Sequence, residues 1–195
     1  MKNPGILELI KKNRSCRRFD GSHLIKMEEL RDLVEHARLS ASAGNLQPLK
    51  YILSHETARN NDIFSCLAWA AYLKDWAGPG EEERPTGYIV ILGDTSITEN
   101  FRCDHGIAAQ SILLGARAMG LAGCIFAAIN VKRLRTLLAI DNNLAILLIL
   151  ALGKPVEEAV IDGLQPGGDI RFFRDGEGVH HVPKRSLDEI IVNSW

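Results

Sequence analysis

The chain has 195 residues, 23 basic against 24 acidic for a net charge of −1, with 46% hydrophobic and 24% charged residues. This is ordinary globular composition for one domain, long enough to bury a core without disulfides. It excludes a disordered or collagen-like chain and speaks against a generally cationic nucleic-acid binder. The longest apolar stretch, Leu144 to Leu152, is nine residues, whereas a membrane-spanning helix needs about 20. The N-terminus lacks the apolar core of a signal peptide, so the expected address is the cytoplasm. Cys16, Cys66, Cys103 and Cys124 are scattered with no C-x-x-C pair, which reads as free structural thiols in a reducing compartment.

In chain order, Asn3 and Pro4 open a first helix with stripe Ile6, Leu7 and Ile10, ending near Asn13. Met27, Leu30, Leu33, Val34 and Ala37 recur at helical spacing and mark a second helix. Tyr51 to Leu53 reads as a short strand and Phe64 to Leu73 as a helix. The segment from Asp75 to Thr86, with Gly78, Pro79, Gly80, three glutamates and Pro85, reads as a mobile surface loop remote from the basic clusters. Tyr88 to Leu92 is an unbroken apolar run and hence a buried strand, and Asp104 to Met119 is a long, mostly apolar helix stopped by Gly120. Such a helix lies inside the fold or at a subunit interface. Cys124 to Ala128 is a strand or an extended loop, Val131 to Leu138 a short helix, and Leu144 to Leu152 a central strand. Alternating strands and helices give an α/β or α+β class. From Pro155 the chain turns glycine-rich and reads as an arm, with Ser186-Leu-Asp-Glu189 as a capping box before a last apolar turn.

Two segments carry candidate chemistry. Lys11 to Arg18 holds five cations in eight residues. It is either a solvated helix end favourable to the dipole or an anion site, for which Arg14, Ser15 and Arg17 supply forked cations and a hydroxyl within one turn. Lys184-Arg185 is a second basic pair. Ser40 to Pro48 is either a capped helix end or a place where small residues admit a flat ring, with Asn45 and Gln47 able to bond its polar edge. Of the histidines, none has H-E-x-x-H spacing, and His180-His181 point apart if extended, so no metal is expected. Asp104 at a helix start reads as a dipole partner. Gly163 to Gly168 lacks G-x-G-x-x-G after a strand, which argues against a Rossmann dinucleotide domain.

Together these segments resemble the FMN-dependent nitroreductase family. Arg14-Ser-Cys-Arg-Arg-Phe19 is similar to its R-S-x-R-x-[FY] pattern and Ser42-Ala-Gly-Asn-Leu-Gln-Pro48 to its S-A-G-N-x-Q-P pattern. The likeness continues through Asp104-His-Gly-Ile-Ala-Ala-Gln110, Gly120-Leu121, Leu152-Gly-Lys-Pro155 and Val182-Pro-Lys-Arg185. The resemblance implies a single domain over residues 1–195, of α+β class, with a central mixed β-sheet surrounded by helices and an extended C-terminal arm over 155–195. It implies a homodimer with one FMN at each end of its interface. Arg14, Ser15 and Arg17, with Lys184 and Arg185, would hold the phosphate and ribityl chain. Ser42 and Ala43 would reach the other subunit's flavin, with Asn45 and Gln47 shaping that wall. Ala127 and Ala128 would offer backbone groups to the flavin edge, the Ala128 amide nearest N5. NAD(P)H would be a transient reductant, and a nitro compound, quinone or other conjugated small molecule the acceptor, with no side-chain acid or base assigned. Ala41 stands where the family often has proline and Leu49 where it has tryptophan, two departures that imply a different substrate cavity, and Ala127-Ala128 stand where some members carry Glu-Gly. The residues also admit a flavin-binding storage or sensor protein without turnover.

Overall fold

A computed structural model describes residues 5–70, 72, 73 and 76–195 of the chain. The expected cap at Asn3 and Pro4, and the start of the predicted loop at Asp75, lie outside the described residues. The first helix, α1, spans Ile6–Lys12, and the second, α2, spans Met27–Arg38. The Glu29 carboxylate accepts the Lys26 amide at 2.8 Å and closes the first turn of α2. Strand β1 is Leu49–Ser54, helix α3 Thr57–Phe64, strand β2 Gly87–Asp94 and helix α4 Asp104–Ala118. Strand β3 (Ala122–Phe126), helix α5 (Val131–Leu137) and strand β4 (Leu144–Gly153) complete the main body. The tail carries β5 (Ala159–Gly163), β6 (Phe173–Arg174), β7 (His180–Lys184) and the single turn α6 (Leu187–Ile190).

Strands β1 to β4 form one sheet in the order β1-β2-β4-β3, and each pairing is antiparallel. The two interior strands, β2 and β4, are those with unbroken apolar runs, because both faces of the sheet are covered by helices. Side chains alternate along β2: Ile89 and Ile91 face Leu30 and Leu33 of α2 and Ile112 and Ala116 of α4, whereas Tyr88, Val90 and Leu92 face Ile63, Phe126 and Leu134. The α+β class is therefore as expected. The mixed pairing, however, lies outside the central sheet. It is found in the tail, where β5 runs parallel to β7 and β6 antiparallel to it. Residues whose glycine-rich composition suggested an arm thus build a second, three-stranded sheet.

The helix expected over Phe64 to Leu73 is a correction: α3 ends at Phe64, and Leu67 instead makes a bridge to Ile129. Buried Asn60 anchors α3 earlier, its side chain accepting the Ser54 hydroxyl at 2.7 Å and donating to the Thr86 carbonyl at 2.9 Å. The apolar residues after Phe64 serve an aromatic cluster, in which Trp69 meets Phe126 edge-on at 4.7 Å. The acidic stretch beyond also differs from a loose, remote loop. Glu83 takes Arg18 in a two-pronged ion pair, the Phe19 amide donates to the Glu83 carbonyl, and the Gly21 amide donates to the Glu82 carbonyl. A side chain at Gly21 would press to 2.6 Å from that carbonyl, which explains a glycine there.

Candidate functional site

Between α1 and β7 lies a cavity of about 270 Å³, lined by Asn13, Arg14, Ser15, Arg17, Gln110, Leu113, Gly123, Ile125, Phe172, His180, Val182 and Lys184. Its wall contains three permanent or near-permanent cations, one hydroxyl and two amides, and no carboxylate. The Cys16 amide donates to the Gly123 carbonyl and so fixes the basic segment to β3. Arg14 donates through one nitrogen to the Ile10 carbonyl at 2.8 Å, and its Nε is buried with no partner among the described residues. Burial lowers its pKa from the ordinary arginine value, a direction that favours an anion arriving beside it. Arg17 is 8% exposed; its guanidinium lies 4.6 Å from the Phe172 ring centroid and 3.2 Å from His180 Nε2. The carboxylate of Glu157 accepts the Arg17 and Arg18 amides and pairs with Arg174 at 2.8 Å, outside the cavity lining. Its ion pair is thus with Arg174 and not with a guanidinium or ammonium of the cavity.

A second cavity of about 520 Å³ lies between α2, β1 and the start of α4, and Ser42, Gln47, Leu49, Tyr51 and Asp104 are among its walls. Here the chain turns sharply: Gly44, Asn45 and Gln47 all have positive φ, a conformation that glycine and asparagine tolerate best. The turn is held by Asp104, which accepts the Ser42 hydroxyl at 2.6 Å and the Ala43 amide at 3.0 Å. Ser42 Oγ in turn accepts the Gln47 amide at 2.9 Å. Although larger, this cavity mixes Arg31, Arg38 and Lys50 with Glu35 and Asp104, so it lacks the one-sided charge of the smaller one.

The sequence-based candidates thus divide. Arg14, Ser15, Arg17 and Lys184 come together in the basic cavity, while Ser42 and Gln47 line the larger one. Ala43 and Asn45 belong to the same turn without lining either cavity. Arg185 lines neither and is bonded to Glu189 of α6. Ala127 and Ala128 are exposed just after β3; the Ala128 carbonyl accepts the Ala68 amide, and the two alanine amides have no acceptor among the described residues. Three contributors were missed from sequence. Phe172 has no motif, Asp104 read as a dipole partner, and His180 is buried where β7 pairs with β5 and β6. Burial pushes the Cys16 thiol up to about 12 and raises Cys124 as well, so neither is poised as a thiolate.

Fold and cavity define an α+β protein with a basic pocket suited to an anionic ligand. The Nitroreductase family model matches residues 10–154, and the chain belongs to that family. It is 27% identical over 189 residues to the oxygen-insensitive NADPH nitroreductase of Helicobacter acinonychis, covering 78% of this chain and 88% of that one. Among solved structures, a Parabacteroides distasonis protein named for NADH dehydrogenase/NAD(P)H nitroreductase activity superposes with a TM-score of 0.70 at 20% identity, over 97% of this chain and 98% of that one. An FMN-dependent nitroreductase from Clostridium difficile gives a TM-score of 0.65 at 21% identity, over 78% and 87% of the two chains. The match to the first of these structures includes the tail with its second sheet. Among the described residues no helix is long and apolar enough to cross a membrane.

Proposed function

We propose that the protein is an FMN-dependent oxidoreductase that takes hydride from NAD(P)H and reduces a nitro compound, quinone or other conjugated small molecule in a ping-pong cycle. The observation that carries this reading is the basic cavity, with Arg14, Arg17 and Lys184 facing it and no carboxylate in its lining. Three cations, the Ser15 hydroxyl and the unpartnered Arg14 Nε are what a phosphate group asks of a protein. FMN, when bound, supplies the hydride-accepting and hydride-donating centre at N5. The chain's own work is then to bind and orient. Arg14, Ser15, Arg17 and Lys184 hold the phosphate end, and the free amides of Ala127 and Ala128 are donors available to the ring edge. Arg185, paired with Glu189, contributes at longer range.

The Ser42 to Gln47 turn opens on a different cavity of the same chain, which supports its serving a flavin held mainly by a second copy. A homodimer is supported further by apolar side chains left in the open: Ile6 and Leu7 on α1, and Leu187, Ile190, Ile191, Val192 and Trp195 at the end of the tail. In this reading residues 1–195 act as one domain, in the cytoplasm, where Cys103 stays an exposed free thiol. The test is spectroscopic. Purified protein should carry yellow FMN that bleaches with NADH or NADPH without oxygen and regains colour when a quinone or nitroarene is added. Flavin that binds but never bleaches would favour a storage or sensor protein.

A further inference from the structure

We propose that His180 is a positioning residue of the basic cavity: as a neutral acceptor it fixes the direction of the Arg17 guanidinium without cancelling its charge. His180 opens β7 and is 1% exposed, with Nε2 3.2 Å from an Arg17 terminal nitrogen. Guanidinium nitrogens only donate. Nε2 must therefore accept, and the ring proton belongs on Nδ1, which is buried with no partner among the described residues. Phe172 closes the arrangement, its centroid 4.6 Å from the guanidinium and 5.1 Å from the imidazole.

The rest of the environment shows why a histidine suits the task. The other polar contact of the Arg17 side chain is a long one, 3.4 Å to the Ser15 carbonyl, because Glu157 takes the Arg17 backbone amide rather than its guanidinium. A carboxylate in place of His180 would orient Arg17 equally well but would neutralise the charge the cavity offers. The imidazole orients it and leaves the charge intact. The charged and titratable groups around His180 are Arg17, Glu157, Arg174 and His181. Burial first, and the Arg17 charge second, push His180 down to about 4, so it stays neutral across the physiological range.

This inference rests on the reading of the cavity as the phosphate site for FMN, and the experiment separates the two. Flavin-free wild-type protein, His180→Leu and His180→Gln are each titrated with FMN and with riboflavin, following flavin fluorescence. His180→Leu should weaken FMN by about tenfold, the loss of one charge-assisted contact, and leave riboflavin unchanged; His180→Gln, which can still accept from Arg17, should recover most of the FMN affinity. The ¹⁵N imidazole spectrum of the wild-type protein at neutral pH should place the His180 proton on Nδ1. Equal losses for FMN and riboflavin in His180→Leu, no recovery in His180→Gln, or a proton on Nε2 would each overturn the proposal. A wild-type preference for FMN that survives in His180→Leu removes this role alone, whereas a wild type that binds FMN no better than riboflavin removes the phosphate reading and this role together.

Discussion

Ser42 Oγ donates to Asp104 at 2.6 Å and accepts from the Gln47 amide at 2.9 Å, so one hydroxyl ties the first residue of α4 to the left-handed turn before β1. Asp104 is 4% exposed and also takes the Ala43 amide. A carboxylate this buried, with two hydrogen-bond donors, is a structural clasp for the turn. Asp104→Ala should therefore remove the acceptor of both the Ser42 hydroxyl and the Ala43 amide and destabilise the fold by at least roughly 1.5 to 3 kcal/mol, the range for one hydrogen bond to a charged group. Urea denaturation should show a lower midpoint at an unchanged slope.

The basic cavity makes a prediction about cofactor identity. Arg14 and Arg17 approach it from one turn of chain, and neither side chain is paired with a carboxylate among the described residues. Changing both to alanine should lower FMN affinity by at least about tenfold, since charge-assisted contacts are worth roughly 1.5 to 3 kcal/mol each. Riboflavin affinity should change far less. Equilibrium titration with each flavin checks the outcome, and undiminished FMN binding in the double variant would remove the assignment.

Much of this architecture is legible in the sequence where one physical signal dominates. The runs in β2 and β4 are continuous because helices cover both faces of the sheet, and the α2 stripe is clear because its outer face meets water. Helix α3 is hidden: Thr57 to Asp62 is polar apart from Ala58, and what anchors it is Asn60, whose partners Ser54 and Thr86 lie on either side in sequence. The tail sheet is hidden for another reason, since β6 has two residues and β5 and β7 five each, too short for an alternation to stand out. Local charge density exposes half of the basic cavity. Its other half, Phe172 and His180, arrives from some 160 residues away through that unread sheet.

The same sheet carries a pH dependence. His181 points away from His180, with Nδ1 2.8 Å from Asp162, Nε2 3.2 Å from Asp175 and the Phe173 ring stacked on it at 4.7 Å. Hydrogen bonds to Asp175 and Asp162 raise its pKa above the ordinary histidine value. The folded value thus exceeds the unfolded one. The clamp's stabilisation is complete below about 6.5, the unfolded pKa, and is lost as the pH rises through the raised folded value. Hydrogen exchange of the β5 and β7 amides, corrected for intrinsic rates, should show more opening at alkaline than at mildly acidic pH. Asp162→Asn with Asp175→Asn should flatten that dependence.

The last prediction concerns assembly. Beyond Arg185 the chain offers Leu187, Ile190, Ile191, Val192 and Trp195 to solvent, with Val192 at 99% and Trp195 at 108% exposure. A run of exposed apolar side chains this dense is unfavourable in an isolated protein and marks a contact surface. It is separable from the basic cavity, whose tail contributions end with Lys184. A chain ending at Arg185 should keep His180, Val182 and Lys184 in place and hold the central sheet unchanged. It should nevertheless shift from the proposed dimer towards monomer in sedimentation at low micromolar concentration, because obligate interfaces bury more than about 2,000 Å² and this segment offers five large exposed apolar side chains to one. Since the Ser42 to Gln47 wall would then no longer meet a neighbouring flavin, FMN should bind more weakly in the truncated protein even with every phosphate contact present. A truncated chain that remains dimeric would move the interface to α1 and α4, and one that is monomeric yet binds FMN at full strength would end the shared-site reading.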